Sequence, residues 1–176
     1  MLSLIKLKDI LFEKKLRVFD FDDTLVKTNS KIYVTNGGKT KTLTPGEYAV
    51  YKPKSGDEFD YKDFNDVIEP KQIKPIMKVF KKIVSATGKR KINILTARGN
   101  YKPIKKFLSD IGFPGIYIVA LDSSNPKHKS EWIEDKIKSG YDDVVFWDDS
   151  PKNIKVVNDL KNKYPKVKIK TQLVKY

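Results

Sequence analysis

The sequence of 176 residues has no cysteine and a single histidine, His128. Disulfides and thiolate metal centres are excluded, and so is any site needing two imidazoles from one chain. A metal held by this chain must sit on oxygen ligands, which selects hard cations and points to magnesium. No apolar run approaches the ~18 residues of a membrane span. The opening segment MLSLIKLKDILFEKK is too mixed in charge for a secretory signal and reads as a short amphipathic helix with Leu4, Leu7 and Leu11 on one side. Acids are missing from one long stretch: residues 70–109 hold twelve basic residues and no carboxylate, while residues 151–176 hold eight lysines against Asp159 alone. With 36 Lys+Arg against 22 Asp+Glu and a net charge of +14, the field attracts phosphates, nucleic acid or anionic surfaces, unless the lysines only solvate helix faces.

What is present suits one domain over 1–176, with 39% hydrophobic residues for its core. Apolar runs at Leu16–Phe19, Lys91–Leu95, Ile116–Ala120, Val144–Trp147 and Val167–Leu173 read as five strands. Between them, apolar residues recur at helical spacing: Ile73, Ile76, Met77, Phe80 and Val84, then Ile104, Phe107, Leu108 and Ile111, then Trp132, Ile133 and Ile137, then Ile154, Val157 and Leu160. Strands alternating with helices predict an α/β fold: a doubly wound, Rossmann-like, mostly parallel five-stranded sheet of order 3-2-1-4-5. Residues 27–70 interrupt the alternation. Ile32-Tyr33-Val34, Asn36-Gly37-Gly38 and Lys41-Thr42-Leu43 give a hairpin signal, and Thr44-Pro45-Gly46-Glu47 a helix start, so 27–70 reads as a small insertion after the first strand.

In such sheets the site lies beyond the C-terminal strand ends. The polar signals collect there: Asp20, Asp22 and Asp23 after the first strand, Thr96 after the second, Asp148 and Asp149 after the fourth. Two carboxylates two residues apart can line one pocket, one attacking phosphorus and the other handling the proton. Magnesium would offset their repulsion, with Asp149 as a ligand from another strand. Thr96 offers a hydroxyl and an N–H to phosphate oxygens, and a lysine from Pro126-Lys127-His128-Lys129 would hold the transferring group. Simpler readings stand beside these: Thr96 and the Asp148-Asp149 pair as helix caps before Pro151, Lys129 on a solvated helix face, His128 as a surface residue, Trp132 and Trp147 as core.

The set DFDDTL, ILTAR, PKHKSEWI and FWDDSPKNI, in that order over about residues 16–160, resembles the haloacid dehalogenase (HAD) superfamily of phosphohydrolases. The resemblance implies Asp20 as nucleophile and magnesium ligand, and Asp22 as general acid/base with its backbone carbonyl on the metal. Thr96, Ala97 and Arg98 would bind the substrate phosphate. Lys129, one helical turn before Ile133, would be the motif lysine, with Lys127 as the alternative. Asp149 would be the main metal ligand from the fourth motif, Asp148 an auxiliary acid also on the metal, and Asn153 would fill the later position, where the family often has an acid. Asp23 falls at the variable position and would cap the turn. The insertion would be a small cap, leaving the site open to bulky substrates.

The small cap and the basic 70–109 segment favour a terminal phosphate on a nucleotide or nucleic acid, with Tyr33, Tyr48, Tyr51 and Tyr61 either stacking bases or packing the insertion. A phosphatase for a small phosphorylated metabolite and a non-catalytic HAD-fold nucleic-acid-binding module are the alternatives. A response-regulator receiver would need its acceptor aspartate after the third strand, where Asp122 stands, but the insertion and Asp148-Asp149 argue against it. A P-loop kinase is excluded, since no G-x-x-x-x-G-K-[ST] occurs. The lysine-rich, compact build also resembles HAD proteins of large tailed phages, which implies a cytoplasmic setting without membrane contact.

Overall fold

The computed structural model describes residues 14–175, so the amphipathic segment expected around Leu4, Leu7 and Leu11 lies outside the described residues. The chain runs through β1 (Lys15–Phe19), β2 (Val26–Lys27), β3 (Ile32–Asn36), β4 (Lys39–Leu43), α1 (Pro45–Val50), β5 (Glu58–Asp60), β6 (Lys71–Gln72) and α2 (Lys74–Thr87). It continues through β7 (Ile92–Thr96), α3 (Lys102–Asp110), β8 (Tyr117–Ala120), α4 (Pro126–Lys138), β9 (Asp143–Asp148), α5 (Pro151–Lys163) and β10 (Lys168–Leu173).

Five strands pair side by side, all parallel, in the order β10-β9-β1-β7-β8. Numbered over all ten strands this is not 3-2-1-4-5, because β2 to β6 intervene in the count; among the five members of the sheet alone, read from β8, the order is 3-2-1-4-5. The arrangement is a Rossmann-like α/β fold. The central strands are covered on both faces and so mostly apolar, as β7 illustrates: all five of its residues are buried, Asn93 and Thr96 included. Phe19, Ile92, Ile94 and Trp147 face α2 and α3, packing on Ile76, Met77, Phe80, Ile104 and Leu108. Leu16, Val18, Val144 and Phe146 face α4 and α5, packing on Ile133, Ile137, Val157 and Leu160. Phe19 lies flat on Trp147 with ring centroids 4.3 Å apart, which puts Trp147 in the core.

The insertion leaves the core through β2 and returns through β6, which pair antiparallel at its base. Within it β4, β3 and β5 form an antiparallel sheet. Gly37 and Gly38 close the β3–β4 hairpin with φ of +55° and +76°, the left-handed values a two-residue turn of this kind requires. Thr44 and Glu47 form the reciprocal cap that starts α1. Tyr48, Tyr51, Phe59 and Phe64 pack on Ile32, Val34 and Leu43, so most of the insertion's aromatic surface serves its own small core. Among the described residues, no helix is long and apolar enough to cross a membrane.

Candidate active site

β1 ends at Phe19, and the Asp20 N–H donates to the Trp147 carbonyl at 2.9 Å, which holds the first acid level with the end of β9. The chain then folds tightly on itself. The Phe21 carbonyl accepts from Leu25 and Val26 at 3.0 and 3.1 Å, and Asp23 takes φ +55°, a left-handed value that a short polar side chain tolerates. This turn fixes Asp22 on one side and drives Thr24 fully into the interior on another. There the Thr24 hydroxyl accepts from the Asp149 N–H at 3.0 Å and donates to Asp149 Oδ1 at 3.4 Å.

Lys129 lies in the first turn of α4 and points inward. Its ammonium donates to Asp20 Oδ1 and to Asp148 Oδ2, both at 2.7 Å, and all three side chains are at least nine-tenths buried. Lys127, two residues earlier, is exposed and pairs with Glu131 instead. Asp148 is saturated by further donors: Oδ1 accepts from the Ser150 N–H at 2.8 Å, and Asn153 Nδ2 reaches both oxygens at 3.0 Å. Ser150 is also the N-cap of α5, so the cap reading and the acid-holding reading hold together. Asp20 Oδ2, by contrast, has no hydrogen-bond partner among the described residues, and no unpartnered side-chain oxygen there is fully buried, so this oxygen faces solvent.

Carboxylate oxygens of Asp20, Asp148 and Asp149 all lie within 4.8 Å of one another. Burial raises the Asp20 carboxyl well above its usual range; Lys129 opposes the rise, and Asp148 and Asp149 reinforce it. Burial, with Asp148 and Asp23 adding to it, pushes Asp149 up to about 6. Burial works against the Lys129 charge, yet Asp20 and Asp148 outweigh it and hold the ammonium above its ordinary value. One lysine therefore does not neutralise three acids. An all-oxygen cluster with uncompensated negative charge fits a hard divalent cation. Asp149 and Asp20 Oδ1, which takes a single donor, are the available ligands, since Ser150, Asn153 and Lys129 already occupy both oxygens of Asp148.

The fourth acid is held apart from this cluster. Arg98, only 4% exposed, donates from Nε to Asp22 Oδ2 at 2.8 Å and from Nη2 to Asp22 Oδ1 at 2.7 Å. Its remaining nitrogen, Nη1, donates to the carbonyls of Phe64 and Asp66 at 3.1 and 2.5 Å, both in the insertion. The guanidinium carbon lies 5.6 Å from the centroid of the Phe21 ring and 5.0 Å from that of Phe64. The sequence reading gave Arg98 to the substrate phosphate; its partners here are the acid Asp22 and the backbone of the insertion. Likewise the Asp22 carboxylate is outside the metal-sized cluster, which leaves its backbone carbonyl as the group expected on a metal. Thr96 is buried and its hydroxyl accepts from the Arg98 N–H at 3.2 Å, shaping the turn that delivers the arginine. Ala97 is exposed at the same turn.

Beside that turn an open cleft of about 430 Å³ separates the insertion from the core, lined by Asp60, Tyr61, Lys62, Phe64, Asn65, Gly99, Asn100 and Asp122. A Cβ on Gly99 would overlap the Asp122 carboxylate, and Asp122 itself sits at φ +51°. Asp122 thus lines the cleft and lies outside the acid cluster.

The structure therefore brings together Asp20, Lys129, Asp148, Asp149 and Asn153 and sets Asp22 and Arg98 beside them, while Lys127 and His128 stay on the surface. The sequence reading missed Thr24. Its signal was the Thr-Leu pair after the acids, but no spacing rule connects it to an aspartate 125 positions away. The chain matches no protein-family model, no curated protein and no solved structure.

Proposed function

We propose that this protein is a magnesium-dependent phosphomonoester hydrolase of the HAD type, acting through an aspartyl-phosphate on Asp20. The observation that carries the reading is the juxtaposition of Asp20 with Lys129, Asp148 and Asp149: an attacking carboxylate with one free oxygen, a cation bonded to its other oxygen, and two further acids within 4.8 Å. Asp20 Oδ2 attacks phosphorus, and the bond to the leaving oxygen breaks as Asp22, protonated and turned off Arg98, supplies that oxygen with a proton. Asp22 then takes a proton from water. The resulting hydroxide attacks phosphorus, the bond to Asp20 breaks, and inorganic phosphate leaves with the aspartate restored. Lys129 fixes Asp20 and offsets charge on the transferring group. Arg98 pairs with the Asp22 carboxylate in the resting site and releases it for the proton transfers. A magnesium ion, held by Asp20, Asp149 and the Asp22 carbonyl, would supply charge neutralisation at the phosphoryl oxygens.

The leaving group lies in the cleft beside Gly99. Its walls carry the rings of Tyr61 and Phe64 and the amides of Asn65 and Asn100, a lining suited to a nucleoside at the phosphorylated end of a nucleotide or nucleic acid. Asp60 and Asp122 on the same walls favour a second reading, a small neutral phosphorylated metabolite, because they repel a further phosphate there. Turnover of an aryl phosphate with magnesium tests the class. Activity is expected for the wild type, to be lost on chelation and in Asp20→Asn. A wild type inert toward aryl phosphate, nucleotides and sugar phosphates alike would leave only the non-catalytic reading.

A further inference from the structure

We infer that the outer face of α2 and α3 is a polynucleotide-binding surface that leads a phosphorylated strand end to the cleft. Lys74, Lys78, Lys81 and Lys82 project from α2, and Lys102 and Lys105 from α3. All six are exposed, and none has an ion-pair partner among the described residues. Neither helix carries an acid except Asp110, which pairs with Lys106. Lys74, Lys78 and Lys82 recur every fourth residue, about 6 Å along the axis. A row of positive charge along a helix tracks the phosphate backbone of a strand laid on it.

Both helices start at the site. The N–H of Ile73, next to Lys74, donates to the Leu25 carbonyl in the acid loop at 2.9 Å. Lys102 follows Asn100, a wall of the cleft, and its N–H donates to the Asn100 side chain at 3.0 Å. Between them in the chain Tyr101, next to the cleft residue Asn100, is 44% exposed and offers a ring on which a terminal base can stack. An anionic membrane fits less well. Helices that lie on bilayers turn an apolar side outward, whereas Ile76, Met77 and Phe80 of α2 are buried against the sheet.

Binding along the face is independent of catalysis; only the delivery of the end to the cleft rests on the phosphatase reading. The test uses full-length Asp20→Asn protein and a fluorescent, end-phosphorylated single-stranded oligonucleotide of about a dozen nucleotides. If about four phosphates are engaged, affinity falls about 50-fold between about 50 and about 200 mM salt. Lys78→Glu/Lys82→Glu is expected to weaken binding at least about tenfold and to flatten the salt dependence. Lys78→Gln/Lys82→Gln should move both the same way by less. Lys161→Glu/Lys166→Glu makes the same charge change on the other side of the sheet and should cost less than about twofold. In an otherwise wild-type background all three variants keep aryl-phosphate turnover. Equal losses in the two charge-reversal variants, no oligonucleotide binding at low salt, or preference for anionic vesicles would each overturn the inference. A wild type that hydrolyses nothing but keeps this binding pattern would instead sink the phosphatase reading alone.

Discussion

On one side of the sheet α2 and α3 press Ile76, Phe80, Ile104 and Leu108 inward; on the other, α4 and α5 press Ile133, Ile137, Val157 and Leu160. The inner faces are interchangeable in chemistry, and the outer faces are not. Across α4 and α5, Lys127 pairs with Glu131, Lys138 and Lys163 with Glu134, and Lys155 with Asp159. Across α2 and α3 the lysines stand without acids, apart from the Lys106–Asp110 pair. The same division holds at the upper edge. α4 and α5 deliver side chains into the site, Lys129 and Asn153, while α2 and α3 deliver none. Packing constrains only the inner stripe of a helix, so the outer stripe is free to differ. In this protein one layer holds the acids and the other presents positive charge.

The comparison breaks hardest at Lys129. Lys129→Met leaves Asp20 and Asp148 buried without their cation, and should lower stability by about 3–5 kcal/mol and turnover by about a thousandfold. Lys78→Met on the other layer should change stability by no more than about 0.5 kcal/mol, so denaturant titration of the two variants separates the roles. Next in size is the acid cluster. Asp149, at about 6 in the folded metal-free protein against an ordinary 3.8, keeps a proton that the unfolded chain has already lost. Stability of the metal-free protein should therefore fall as pH rises from about 4 to about 6, with Asp20, raised in the same direction, adding to the fall. Magnesium should raise the melting temperature more at about pH 7.5 than at about pH 5, and Asp149→Asn should remove most of that difference. A melting curve insensitive to both pH and magnesium would count against the cation site.

Thr24→Val keeps the shape of the side chain and deletes its bonds to Asp149. It should cost about 1–2 kcal/mol and weaken magnesium activation about tenfold, read from a titration of activity against magnesium. Smallest is the paired surface. Lys163 and the Tyr164 hydroxyl bond to Glu134 and pull its carboxyl down to about 2. The pair is exposed on the lysine side, so Glu134→Gln should lower stability by less than about 1 kcal/mol, with the loss shrinking in high salt.

The strands and helices were legible because their signals are local. The apolar runs at Val18-Phe19 and Val144–Trp147 and the 3.6-residue spacing from Ile73 to Val84 need no knowledge of partners. The insertion was legible by its turn residues, and Gly37-Gly38 sits at the tip of the hairpin they predicted. Of the candidate site, the acids and Lys129 could be read from motifs, and burial separates Lys129 from Lys127. Thr24 and Arg98 were less legible because their roles depend on distant atoms. Arg98 meets Asp22 from 76 residues away and takes up carbonyls, which carry no side-chain signature. The tyrosines of the insertion were ambiguous because stacking on a base and packing on Ile32 call for the same ring.

Arg98 also bears on how this core accepts accessory pieces. What it asks of the insertion is two backbone carbonyls, those of Phe64 and Asp66, which any residue could supply, and one ring, that of Phe64. The guanidinium is thus a socket that asks one aromatic residue of the plug and nothing else of its side chains. Segments of different length and composition could be spliced in between β2 and β6 and still dock on the same cation, each reshaping the cleft wall while Asp22 keeps its aim.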